Sequence, residues 1–367
     1  MKKFFTISII LLFTHLTYMQ SCKYKLLVGT YTNTGKSEGI YSYEIDMKKG
    51  DFIQKSITKN IVNPSFLALT PDKKFVYAVC ENDKGSAAKS FSFNKKTAQL
   101  TPINTSLTKS GGPCNILATE KNVFTANYGG GSVSVFGRNN DGSITEAKQL
   151  IRHTGGSINK ERQNEAHVHQ VILSKDKKYI IANDLGTDNV TVYNYYPNAE
   201  AEILVPFDTL QVKLGSGPRH ATFSKNGEKL YLVQEIDGTV SVLGFDKGKL
   251  SLIQETSLVK KENIINRAAD IHLSPDEKFL YVTNRGNAND ITCFSVAKDG
   301  ELTFIQQIST MGDGPRNFAI TPDGKFVFVA HQFTDNIVVF ERNKKTGMLT
   351  DTGKRMNVGS PVCLIFY

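Results

Sequence analysis

The chain repeats itself about every 50 residues, and that period restricts its fold more than any other property. The unit is a turn residue, a short apolar strand, a polar turn of the SPDGK kind and a second apolar strand. It runs as NPSFLALTPDKKFVYAVCEN from Asn63 and GGPCNILATEKNVFTANYGG from Gly111. It recurs as HVHQVILSKDKKYIIANDLG from His167, GPRHATFSKNGEKLYLVQEI from Gly217, RAADIHLSPDEKFLYVTNRG from Arg267 and GPRNFAITPDGKFVFVAHQF from Gly314. A truncated copy, GSPVCLIFY, closes the chain. The equivalent turn positions are Pro64, Pro113, Val168, Pro218, Ala268, Pro315 and Pro361, spaced 46 to 55 residues apart.

Strand-like units at this period, rich in glycine turns, are blades of a β-propeller. The segments alternate or form short apolar runs, as in KFLYVTN and KFVFVAH, and helical periodicity is absent after the leader. The expected fold is all-β: seven four-stranded blades in one domain over residues 22–367. The last copy has only its first strand. LLVGTYT and GIYSYEID, near the other end, read as the second and third strands of the same blade. The two ends of the chain then share a blade, and the ring closes without a free sheet edge.

Residues 1–20 read as an export leader: Lys2 and Lys3 form a basic start, and FFTISIILLFTHL forms an apolar stretch. Its 13 residues are too few to span a bilayer, which takes about 20. MQSC follows, and Cys22 stands where a bacterial lipoprotein carries its lipid, although Met19 replaces the usual leucine. The expectation is a 21-residue signal of the lipoprotein type and an exported, periplasmic or membrane-anchored protein; an uncleaved leader would leave it cytoplasmic. Cys80, Cys114, Cys293 and Cys363 stand singly in strand segments, with no metal-site spacing, so neither metal nor cofactor is expected. The formal charge of +9 comes largely from scattered turn lysines, without the basic blocks interleaved with aromatics that would suit nucleic acid. A positive balance of this kind favours an anionic small molecule as partner.

The propeller makes a prediction about function. The start of each inner strand and the end of its antiparallel neighbour lie at the same mouth of the channel. Just after the turn positions come Ser65, Cys114, His169, Arg219, Ala269, Arg316 and Val362. At the ends of the second strands come Glu81, Tyr128, Asp184, Glu235, Arg285 and Gln332, the last preceded by His331. The opposite turns repeat the same Ser/Thr-Pro-Asp-Gly-Lys chemistry, whereas these positions differ from blade to blade, as a site grafted on a symmetric scaffold does. Arg219, Arg285 and Arg316 have a plainer use as salt bridges to Glu235, Asp184 and Glu81. Three arginines, a histidine and acids arriving from different blades favour a ligand site instead. His167 would rim it; His153 and His272 are weaker candidates. The triple glycine of ANYGGGSVSVFGR lacks a following Lys-Ser/Thr, so it reads as a tight connection whose amides remain available to an anion.

These repeats resemble the lactonase family of seven-bladed propellers, which includes 6-phosphogluconolactonases and, in the same superfamily, the fungal carboxy-muconate lactonising enzyme. The likeness runs from Leu26 to Tyr367 through VGTYT, AHVHQVILS, DLGTDNVTVY, GPRHATF, VQEIDGTVSV, AADIHLSPD, YVTNRG and GPRNFAITPDGKFVFVAHQ. It implies a catalytic set of His169, Arg219, Glu235 and Arg285 and hydrolysis of a sugar lactone, phosphorylated or not. Glu235 or His169 would activate water, and Arg219 and Arg285 would stabilise the oxyanion. Arg316, His331, Gln332, Glu81, Asp184, Tyr128 and His167 would bind substrate. The alternatives are a muconate-type cycloisomerase and a non-catalytic surface propeller, for which YVTN is a hallmark. Export argues against a cytoplasmic sugar phosphate as substrate.

Overall fold

The computed structural model describes residues 22–82, 85–258 and 263–367, so the proposed leader and its cleavage point lie outside the described residues. Seven four-stranded antiparallel sheets form the ring, and no helix occurs among the described residues. Blade 1 joins the last strand, Pro361–Phe366, to Lys23–Thr30, Ile40–Asp46 and Asp51–Thr58. The two ends of the chain therefore share a blade as expected, with Val28 opposite Leu364.

Each blade buries both faces, which explains why the second strands read as unbroken apolar runs. Phe279–Asn284 of blade 6 (FLYVTN) is buried at every position. A separate apolar cluster fills the gap between each pair of neighbouring blades; Val28, Tyr43, Phe328 and Val339 close the ring between blades 1 and 7. Burying one such side chain contributes about 1.5–3 kcal/mol. Polar clasps set the spacing between blades. On the periphery, Gln149, Gln254 and Gln306 each pair through the side-chain amide with backbone of the next blade, at Leu204, Leu302 and Leu349. At the axis, Asn115 accepts from Val171 N, Gln170 from Ala221 N and Asn317 from Leu364 N.

One irregularity positions the site. The pairing of first and second strands slips by one residue just after the turn position in six blades. The slips fall between Pro113 and Asn115, Val168 and Gln170, Pro218 and Ala221, Ala268 and Ile271, Pro315 and Asn317, and at Val362. A bulge re-aims its extra side chain away from the regular pleat. Cys114, His169, Arg219, Ala269, Arg316 and Val362 all fall in these bulges.

Candidate active site

The bulges and the residues just beyond the second strands bound a cavity of about 300 Å³ at one mouth of the channel. Its lining is Tyr31, Glu81, Cys114, Tyr128, Arg162, His169, Glu235, Arg267, Arg285 and Arg316. Six of the expected residues meet there: His169, Glu235, Arg285, Arg316, Glu81 and Tyr128.

Glu235 is the electrostatic centre. Arg162 Nη2 donates to its Oε1 at 2.7 Å, Arg219 Nε to Oε2 at 2.8 Å, and Arg285 Nη2 lies 3.0 Å from Oε2. Burial alone would raise this carboxyl, but the Arg285, Arg219 and Arg162 guanidinia outweigh it and hold it well below the usual carboxylate range. Arg219, 1 % exposed, lies beneath the cavity and also donates to Ala269 O, so it fixes Glu235 from below. Arg285 Nε donates to Arg267 O at 2.9 Å. The plainer salt-bridge reading therefore holds for Arg219, but Arg285 pairs with Glu235 rather than Asp184.

Arg316 does not pair with Glu81. Its guanidinium stacks over Tyr31 at 5.3 Å and makes no hydrogen bond or ion pair among the described residues. Glu81 instead accepts from Tyr31 OH at 2.9 Å and from the Ser65 hydroxyl. His169 is buried against Tyr128 and His220, with Nδ1 3.8 Å from Cys114 Sγ. Burial, reinforced by Arg219, His220, Arg316 and Arg285, pushes its imidazole well below its ordinary value and keeps it neutral. Burial also pushes the Cys114 thiol up to about 12, so it is no nucleophile.

Besides Arg219, four expected residues lie outside the cavity, two of them for one geometric reason. The second strands end at Thr30, Cys80, Asn127, Asp184, Gln234, Asn284 and His331, and in five blades the residue after the strand lines the cavity: Tyr31, Glu81, Tyr128, Glu235 and Arg285. In blade 4 that residue is Leu185, so Asp184 is one position too early. A shift of one residue in a strand reverses the face. Asp184 is fully buried and holds the adjoining turns, accepting from His167 N at 2.8 Å, Gly186 N at 3.0 Å and His153 Nδ1 at 2.9 Å. His331 occupies the same column in blade 7 and packs against Gly312, where a Cβ would come within 2.5 Å of its ring. Gln332 follows it but does not line the cavity. His167 lies behind Tyr128, with rings stacked 4.4 Å apart and Nδ1 3.0 Å from Tyr128 O. His272 binds Asp270 Oδ2 at 2.9 Å farther down the channel. The triple glycine is a tight packing device: Gly130 N donates to Gly111 O and Gly131 N to Tyr128 O, so those two amides are spent.

Tyr31, Arg162 and Arg267 are additions. Tyr31 follows the second strand of blade 1 and is the counterpart of Glu81; the split repeat hid it. Arg267 stands where other repeats have Gly112, Gly217 and Gly314 at positive φ. Arg162 comes from outside the repeat, and its only trace in the sequence is the 55-residue spacing before Val168. Among the described residues, no group of three or more His, Cys, Asp or Glu is placed to hold a metal.

These histidines predict how stability depends on pH. Burial pushes His220 and His331 each down to about 4, while the unfolded imidazole titrates near ~6.5. The unfolded chain therefore binds more protons between those values, and stability falls as pH drops through that window. His272, which Asp270 raises against the effect of burial, acts only above the ordinary imidazole value and so does not offset the loss in this window. Thermal unfolding should give a Tm that declines steadily from pH 6.5 towards 4.5; a flat profile would refute it.

A concave site of this kind, built from unrepeated polar side chains at one mouth of a seven-bladed ring, defines a small-molecule-binding propeller. Residues 25–366 match the model of the lactonase family, described as a seven-bladed β-propeller, and the chain belongs to that family. It is 35 % identical over 331 residues to the 6-phosphogluconolactonase of Formosa agariphila, covering 88 % of this chain and 94 % of that protein. Identity to the Bacillus subtilis 6-phosphogluconolactonase is 32 %, over 94 % and 98 % of the two chains. The solved structure of the Pseudomonas aeruginosa periplasmic gluconolactonase superposes with a TM-score of 0.88 at 34 % identity, covering 94 % of this chain and 99 % of that one.

Proposed function

We propose that this chain hydrolyses an anionic sugar lactone, with His169 as the base that activates water. The observation that carries the reading is one neutral imidazole facing a cavity whose charge comes mainly from arginine. The relatives named for 6-phosphogluconolactone and gluconolactone hydrolysis support the substrate class. Glu235 is a poor base, because both its oxygens are engaged by guanidinia. Its part is to orient Arg285.

His169 removes a proton from water as the oxygen attacks the lactone carbonyl carbon. Arg285 donates to the oxyanion that develops. When the ring C–O bond breaks, the imidazolium returns its proton to the departing alkoxide, and the new carboxylic acid loses its own proton to solvent. The neighbouring guanidinia disfavour the imidazolium, which promotes that return. Arg316, which makes no ion pair among the described residues, takes the substrate's negative charge. A panel of phosphorylated and unphosphorylated sugar lactones followed by acid release tests the reading; no turnover of any of them overturns it. Because burial and cations depress His169, the acid limb of kcat/KM should fall below pH ~6.5, the ordinary imidazole value. A limb at or above that value would remove His169 as the base.

The periplasmic relative and the apolar leader together support export, with Cys22 as the lipid anchor. Cys22 precedes the strand Lys23–Thr30, whose other end leads to Tyr31 in the cavity, about 25 Å away. An anchor there leaves the mouth facing away from the membrane. Metabolic labelling with palmitate should mark the protein, and Cys22→Ser should abolish the label; a labelled variant would place the lipid elsewhere.

A further inference from the structure

Blade 4 breaks the pattern of the mouth. The residues that follow the second strands are Tyr31, Glu81, Tyr128, Glu235, Arg285 and Gln332 in the other blades, but blade 4 has Leu185, apolar and fully buried. The segment at 153–167, inserted between blades 3 and 4, brings Arg162 to the cavity.

That segment is held firmly. Asp188, fully buried, accepts from Gln163 Nε2 at 2.8 Å and Ser157 Oγ at 2.5 Å. The same carboxylate accepts from Gly215 N at 2.6 Å and Gly217 N at 2.7 Å, tying the insert to the connection that leads into blade 5. Gln163 is itself fully buried and also donates to Leu185 O. The turn carrying Arg162 is closed by Asn159, whose side-chain oxygen accepts from Arg162 N at 3.2 Å. The arginine is therefore presented by a braced strap.

Its guanidinium differs from the other two on Glu235. Arg219 spends Nε and Nη1 on the protein, and Arg285 spends Nε and Nη2. Arg162 uses only Nη2, on Glu235 Oε1 and, at 3.4 Å, on Tyr128 OH. Its Nε and Nη1 make no hydrogen bond among the described residues, and its side chain is 31 % exposed against 1 % and 10 % for Arg219 and Arg285.

We propose that Arg162 is a specificity-determining residue of this cavity, donating through its free Nε and Nη1 to the carboxylate or phosphate of a charged lactone. Glu235 and Tyr128 fix the plane of the guanidinium beforehand, so little side-chain freedom is lost on binding. This rests on the lactonase reading and adds to it a rim residue that reads charge, supplied by an insert outside the symmetric scaffold.

The test compares 6-phosphogluconolactone with uncharged gluconolactone, in wild type and in Arg162→Ala and Arg162→Lys. Losing a charge-assisted contact made by substrate and transition state alike should raise KM for the charged lactone about tenfold or more, with kcat within about threefold. The uncharged lactone should change little, so the preference for charge falls. Millimolar guanidinium should restore part of the loss in Arg162→Ala, and Arg162→Lys should lie between. An equal fall in kcat on both lactones without rescue would overturn the proposal and leave Arg162 as a prop for Glu235. If wild type turns over neither lactone, it is the lactonase reading that fails. Calorimetry with 6-phosphogluconate as the probe then decides the role of Arg162: weaker binding by Arg162→Ala supports it, and unchanged or absent binding overturns it.

Discussion

Glu235→Gln should lose both activity and stability. The carboxylate is 5 % exposed and is the shared ion-pair partner of three guanidinia, two of them also buried. The amide keeps the shape and removes the charge, stranding Arg219 and Arg285 in the interior. Breaking a buried pair in this way costs about 3–5 kcal/mol. Arg285 also loses the partner that aims it, and loss of one oxyanion donor lowers kcat by about 10²–10³. Thermal unfolding and lactone kinetics on the same preparation read both effects. Substrate should still bind, because Arg316 and Arg267 are untouched. A variant with wild-type Tm and turnover would take Glu235 out of both the scaffold and the mechanism.

His169→Ala should separate the two effects. The imidazole is neutral, and its ring nitrogen contact is the long one to the Cys114 thiol, so its removal strands no charge. Tm should stay close to that of wild type. Loss of a general base typically lowers the rate by about 10²–10⁴. The fall should be in kcat, with KM little altered, and the acid limb of the pH profile should vanish with the residue that produces it. If kcat stays within about tenfold of wild type, the proton goes elsewhere. The contrast between the variants is diagnostic of the two proposed roles, charge balance for Glu235 and proton transfer for His169.

The ring of blades was legible because each unit must bury the same two faces, and equal demands produce equal sequences. The placement of His169, Arg219 and Arg316 was legible for the same reason: the bulge follows the turn position in blade after blade. Asp184 shows where such reading stops. A strand end uncertain by one residue decides which face a side chain meets, and in blade 4 the mouth position belongs to Leu185.

The sequence by itself determined the seven-bladed ring, its closure by both ends of the chain, and the mouth at which unlike residues gather, because a repeat encodes its own geometry. Only the tertiary structure decided which of those residues share the cavity, that three guanidinia converge on Glu235, and that Arg162 completes them. These depend on distances between blades and on an insert that obeys no period, and neither leaves a pattern along the chain.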